Sequence, residues 1–339
     1  MKKLVFISFL VLTAQFALYA QKGLSDEGYK HWVKAVALME NVKVESDYFL
    51  VLEEFRKVTE TDSMYADTYY NMGILWTKMG ELGGGVPCFD AAKRWYEKYL
   101  TLRPAEKKAF TEELTKLEVK REIFMQGILD NMSLINAGTP REIKIKFGTP
   151  MCKNGVYVDA FYIKQNLFTV ADYKRLITPM AIALTSSLKR KTFNLPYQQN
   201  STGNDNVPYI LSAITAEQII EILNCITSKN FFILTWDHYQ MMAYSKISPY
   251  LGNNRKGELT LKGKDWFKCT QTKTLYSDGS AVKGVFDIPK IAEWIFFADK
   301  HEYNVANGGY YTISIPKNYE MSNGYSDFGF RLALPASEK

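Results

Sequence analysis

The chain has 339 residues, of which 47% are hydrophobic and 23% charged. That is enough apolar material for the cores of two domains and too balanced a composition for disorder. The formal charge of +6 is carried without a long basic run, which removes nucleic acid from the expected partners.

Residues 1–20 read as a secretory signal peptide. Lys2 and Lys3 precede an apolar run over 4–18, and Ala17-Leu18-Tyr19-Ala20 has the small-x-small form of a cleavage site. Cleavage there starts the mature chain at Gln21, and losing the two lysines lowers the formal charge from +6 to +4. No cysteine follows the signal, so a lipid anchor is not expected. No later apolar stretch reaches the ~18 residues of a membrane span. The expected location is periplasmic, cell-surface-associated or secreted.

From Lys30 to about Glu122 apolar residues recur at helical spacing, as in Trp32, Val33, Val36 and Ala37, and again in Phe49, Leu52, Phe55 and Val58. Residues 66–76 and 91–104 resemble the two helices of a tetratricopeptide repeat (TPR). In such a repeat the small residues Gly73, Ala91 and Ala92 let two helices approach closely. Trp76, Tyr96 and Leu100 fill the space between neighbours, and Pro104 ends the unit. The interval from Gly73 to Pro104 is longer than the repeat's. The excess falls on Gly83-Gly84-Gly85 and its neighbours in 82–87, expected to be a flexible insertion. Residues 28–62 read as a weaker first repeat and 106–124 as a capping helix. The expected N-terminal domain is 21–125, a TPR-like α-helical array that serves as an interaction platform or as a packing appendage.

After Asn136-Ala137-Gly138-Thr139-Pro140 the period changes. Ile143, Ile145 and Phe147 alternate with Glu142, Lys144 and Lys146, the pattern of a half-buried strand. A strand is expected over 158–163, then a helix with Thr169 as its N-cap. Thr215-Ala216-Glu217-Gln218 has capping-box form and predicts a helix over 219–226. Cys88, Cys152, Cys225 and Cys269 match no zinc or redox spacing. They allow one or two disulfides in an oxidising compartment and equally allow buried thiols. His31, His238 and His301 are too scattered for a metal site, and His238 in its apolar run is expected to be a core residue.

Residues 284–294 (Gly284 to Glu293-Trp294) and 327–332 (Asp327-Phe328-Gly329-Phe330-Arg331-Leu332) form a frame. With the strand and helix of 158–176, Pro208-Tyr209-Ile210-Leu211-Ser212, and 232–243, it makes five ordered motifs over about residues 130–335. The set resembles the formylglycine-generating-enzyme (sulfatase-modifying-factor) family. The resemblance implies a C-type-lectin-like, loop-rich α+β fold for 126–339. Its framework signature would be Gly284, Asp287, Glu293, Trp294, Gly308, Gly309, Gly329, Phe330 and Arg331. Arg331 would pair with a carboxylate or backbone carbonyl inside the domain.

The departures from the family concern its metals. Its copper-binding cysteines would follow the turn Asn307-Gly308-Gly309-Tyr310-Tyr311, where this chain has Ile313 and Asn318. Its calcium-binding asparagine is replaced by Pro289-Lys290, and a lysine would repel the ion. The expectation is therefore a pseudoenzyme with no catalytic residue, metal or cofactor. Tyr310, Tyr311, Tyr319 and Tyr325 fall around the family's groove and would suit a sugar or a peptide side chain. The expected function is an exported, non-catalytic binding or scaffold protein of the bacterial envelope with a protein or glycan partner. The alternative is a formylglycine-generating-type oxidase or a related metal-dependent enzyme.

Overall fold

The computed structural model describes residues 23–130, 132–139, 156–164, 167–193, 195, 205, 215–235, 237–238, 241 and 330–339 with their side chains. It describes the backbone alone for 143–144, 150–152, 213–214, 251–253, 259–261, 292–297, 302–307, 311–313 and 328–329. Among these residues there are eight α-helices: α1 (Asp26–Glu40), α2 (Asp47–Thr61), α3 (Ala66–Met79), α4 (Val86–Leu102), α5 (Lys107–Leu129), α6 (Val170–Leu176), α7 (Pro179–Lys189) and α8 (Ala213–Thr227). With the strands given below they make an α+β protein. No helix among the described residues is long and apolar enough to cross a membrane.

The chain forms two compact units. One holds the chain through Met125 together with Thr178–Lys191. The other holds Gln126–Ile177 and the chain from Thr192 onward. The division after Met125 falls inside α5. Residues 178–191, which lie within the stretch expected to be the second domain, belong to the first unit.

In the first unit α1 pairs with α2, and α3 with α4. Helix α1 starts where the Ser25 hydroxyl accepts the Gly28 N–H at 3.1 Å, with Asp26 and Glu27 placed to offset the partial positive charge of the helix start. Trp32 meets Phe55 and Tyr65 edge-on, each with ring centroids 5.3 Å apart. These rings lie in a core that α1, α2, α3 and α4 share with Met180 and Leu184 of α7. Between α3 and α4 the chain makes a π-helical turn, Gly80–Gly84. It overlaps the stretch 82–87 expected to be a flexible insertion, and its three glycines, Gly80, Gly83 and Gly84, are buried. Gly83 adopts φ +104°, which an L side chain rarely takes, and Thr178 donates a 2.8 Å hydrogen bond to the Leu82 carbonyl. At Gly73 the helices come so close that a Cβ would sit 2.3 Å from the Tyr96 ring.

The second unit contains three sheets among the described residues. The first is β1 (Met132–Ile135), β4 (Phe161–Lys164) and β11 (Ala333–Pro335), in the order β1-β4-β11, antiparallel throughout. The second has the order β3-β2-β6-β5, built from β2 (Ile143–Lys144), β3 (Pro150–Cys152), β5 (Leu251–Asn253) and β6 (Leu259–Leu261). The third has the order β10-β7-β8-β9, built from β7 (Ala292–Phe297), β8 (Glu302–Asn307), β9 (Tyr311–Ile313) and β10 (Phe328–Gly329). The core of the first sheet gathers Phe161 and Ile163 from β4, Ala333 from β11, and Leu234 and Met241. Helix α6 starts at the expected Thr169, which forms a reciprocal capping box with Asp172. Helix α8 begins two residues before Thr215, so that residue lies inside its first turn instead of capping it.

Candidate functional site

The two halves of the framework signature meet in one sheet. Gly329 of β10 lies opposite Glu293 of β7, and Trp294 follows in register with Val305 of β8. Beyond β10, Phe330 and Arg331 turn into the interior at 0% and 2% exposure. The Phe330 ring stacks on Phe168 at 4.9 Å, and its carbonyl accepts the Phe168 N–H at 2.8 Å. Tyr311 opens β9, opposite Asn307 at the end of β8. Gly284, Asp287, Gly308, Gly309, Tyr310, Tyr319 and Tyr325 lie outside the described residues, as do Pro289, Lys290 and Asn318.

Two polar clusters are built into this unit. Buried Lys164 and Asp172 are paired at 2.7 Å, and Asp172 also accepts the Thr169 N–H and hydroxyl. Burial raises the Asp172 pKa, but the Lys164 charge and these hydrogen bonds outweigh it, and the carboxyl is held below its usual range. His238 sits against Phe161 and Phe232, each 4.8 Å away between centroids, with Nδ1 2.5 Å from the Thr235 hydroxyl. Burial pushes its pKa down against the opposing charge of Asp159. The Lys164–Asp172 pair is a satisfied interior group, whereas His238, expected to be a core residue, is only partly buried. Among the described residues no group of three or more His, Cys, Asp or Glu side chains is placed to hold a metal ion.

The first unit carries a cluster of rings with a partly exposed rim. Four rings gather where α3, α4 and α5 pack together. Tyr70 lies 5.3 Å from Tyr99 and 6.0 Å from Phe110, and Phe110 lies 5.1 Å from Tyr96. Tyr96 and Tyr99 are buried. Tyr70 is 36% exposed, and Ile74, one turn along α3, is 40% exposed. The Tyr99 hydroxyl is fixed on Glu106, and Thr77 lies 3.4 Å from the Tyr96 hydroxyl. Burial raises the Tyr70 phenol pKa, and the carboxylates of Glu113 and Glu106 raise it further, so the rim of the ring cluster includes carboxylates. A ring already packed against its neighbours loses little entropy when another surface covers it.

Of these residues, sequence spacing singled out only Tyr96, as a filler between helices. The available signal was Tyr70 and Ile74 at i, i+4, with Tyr96 and Tyr99 at i, i+3 on the next helix. The same spacing also describes interior residues, and only the fold separates the two cases. No protein-family model matches the chain, and neither a curated protein nor a solved structure matches it.

Proposed function

We propose that this chain is an exported, non-catalytic binding or scaffold protein of the bacterial envelope. In this reading the first unit is a TPR-like platform for a protein partner. The second is a degenerate C-type-lectin-like, sulfatase-modifying-factor domain that contacts protein or glycan. The observation that carries the reading is the Tyr70–Ile74 face, backed by Tyr96, Tyr99 and Phe110. Aromatic faces beside carboxylates favour apolar and basic side chains of a partner.

A pull-down from the envelope fraction with the full-length protein tests it. The expected result is a captured protein that is lost when Tyr70→Ala and Ile74→Asp are combined, with helicity by circular dichroism unchanged. Equal capture by both forms would reject this face. Conversion of a cysteine peptide to formylglycine would replace the reading with the oxidase one.

A further inference from the structure

Helix α7 comes two residues after α6 ends at Leu176, inside a stretch of chain that otherwise builds the second unit. Its apolar side nevertheless belongs to the first unit's core. Met180 and Leu184 are 0% and 1% exposed and share a cluster with Phe55, Met79 and Cys88, whereas Leu188, in the last turn, is 60% exposed. Thr178 fixes the start of the helix. Its hydroxyl donates to the Leu82 carbonyl at 2.8 Å and accepts the Ala181 N–H at 3.1 Å, so one side chain caps α7 and grips the glycine turn. Gly83 makes room for that grip, since a Cβ there would lie 2.2 Å from the Thr178 hydroxyl oxygen.

A helix of 11 residues is too short to persist in water without its packing surface. It therefore docks or melts as one piece. We propose that α7 is a detachable strap on the helical unit. It lifts from the glycine turn while α1–α4 stay folded, and lifting uncovers Cys88 and the apolar seat around Met79. Local openings of this kind, confined to one element, lie below global unfolding in free energy.

The test is thiol labelling of full-length protein with Cys152, Cys225 and Cys269 replaced by serine, so that only Cys88 reports. Below the urea midpoint, labelling should proceed with little urea dependence, because lifting α7 exposes far less surface than unfolding. Leu184→Ala should accelerate labelling on the order of a hundredfold, from the lost burial and the cavity left behind. Thr178→Val should do so roughly tenfold, from the lost hydrogen bonds. Leu188→Ala, in the exposed last turn, should leave the rate unchanged. A rate that follows global unfolding at every urea concentration overturns the strap. So does a Leu184→Ala variant that melts earlier but labels at the parent rate. If Leu184→Ala does not fold, Thr178→Val decides, and an unaltered rate there rejects the proposal.

Discussion

Glu54 is 5% exposed and meets three donors: His31 Nδ1 at 2.7 Å, and Lys34 Nζ and Lys57 Nζ at 2.9 Å each. Burial pushes its pKa up, but the hydrogen bonds from Lys34, His31 and Lys57 together reverse this and hold it at about 2. A carboxylate depressed in the folded state stabilises the fold above its unfolded pKa of about 4.5, and that stability is lost as the pH falls toward about 2. Glu54→Gln should therefore cost about 1–3 kcal/mol at neutral pH and very little at the acid end. Denaturant melts across pH 2–7 would show the two curves converging. His238 has the same sign for a different reason. Partial burial lowers its pKa, so the second unit should lose stability as the pH drops below the ordinary histidine value of 6.5, and His238→Gln should blunt that loss. Phe330 is the residue on which to test the framework role. It is fully buried against Phe168, and Phe330→Ala should cost about 3–5 kcal/mol by thermal or chemical unfolding.

At the scale of elements, the glycine turn is the most exacting. Gly83→Ala combines a left-handed backbone with a Cβ placed 2.2 Å from Thr178, and should destabilise the first unit by at least about 2 kcal/mol. A lowered melting temperature, with the change localised to 80–89 and 178–189 by hydrogen exchange, would verify it. This turn also shows where sequence reasoning stops. Glycines in a row signal an unusual backbone, which is correct, but the signal does not distinguish a loose loop from a turn pinned by a hydroxyl far along the chain. The helices themselves were legible because burial on one face imposes a 3.6-residue period on Trp32, Phe55 and their neighbours. Thr169 was legible because an N-cap is a local interaction. Thr215 has the same local form, yet α8 starts ahead of it. The placement of α7 in the first unit was not legible, since nothing local in Met180 or Leu184 says which core they enter.

For the molecule as a whole, N-terminal sequencing of protein exported in its own host should begin at Gln21, and a start at Met1 would remove the proposed export. The parent protein should melt at the same temperature with chelator, calcium or copper, because a metal that does not bind the folded state adds no stability by mass action. A rise of several degrees with either ion would point to a site built from other residues. The strand order β1-β4-β11 has a further consequence for how the chain is made. Its central strand β4 is made long before one of its two partners, residues 333–335. While the ribosome is still translating, β4 can pair with β1 and must wait for β11. The Phe330 ring that stacks on Phe168 arrives just as late. The second unit therefore stays incomplete until residues 328–335 have been made.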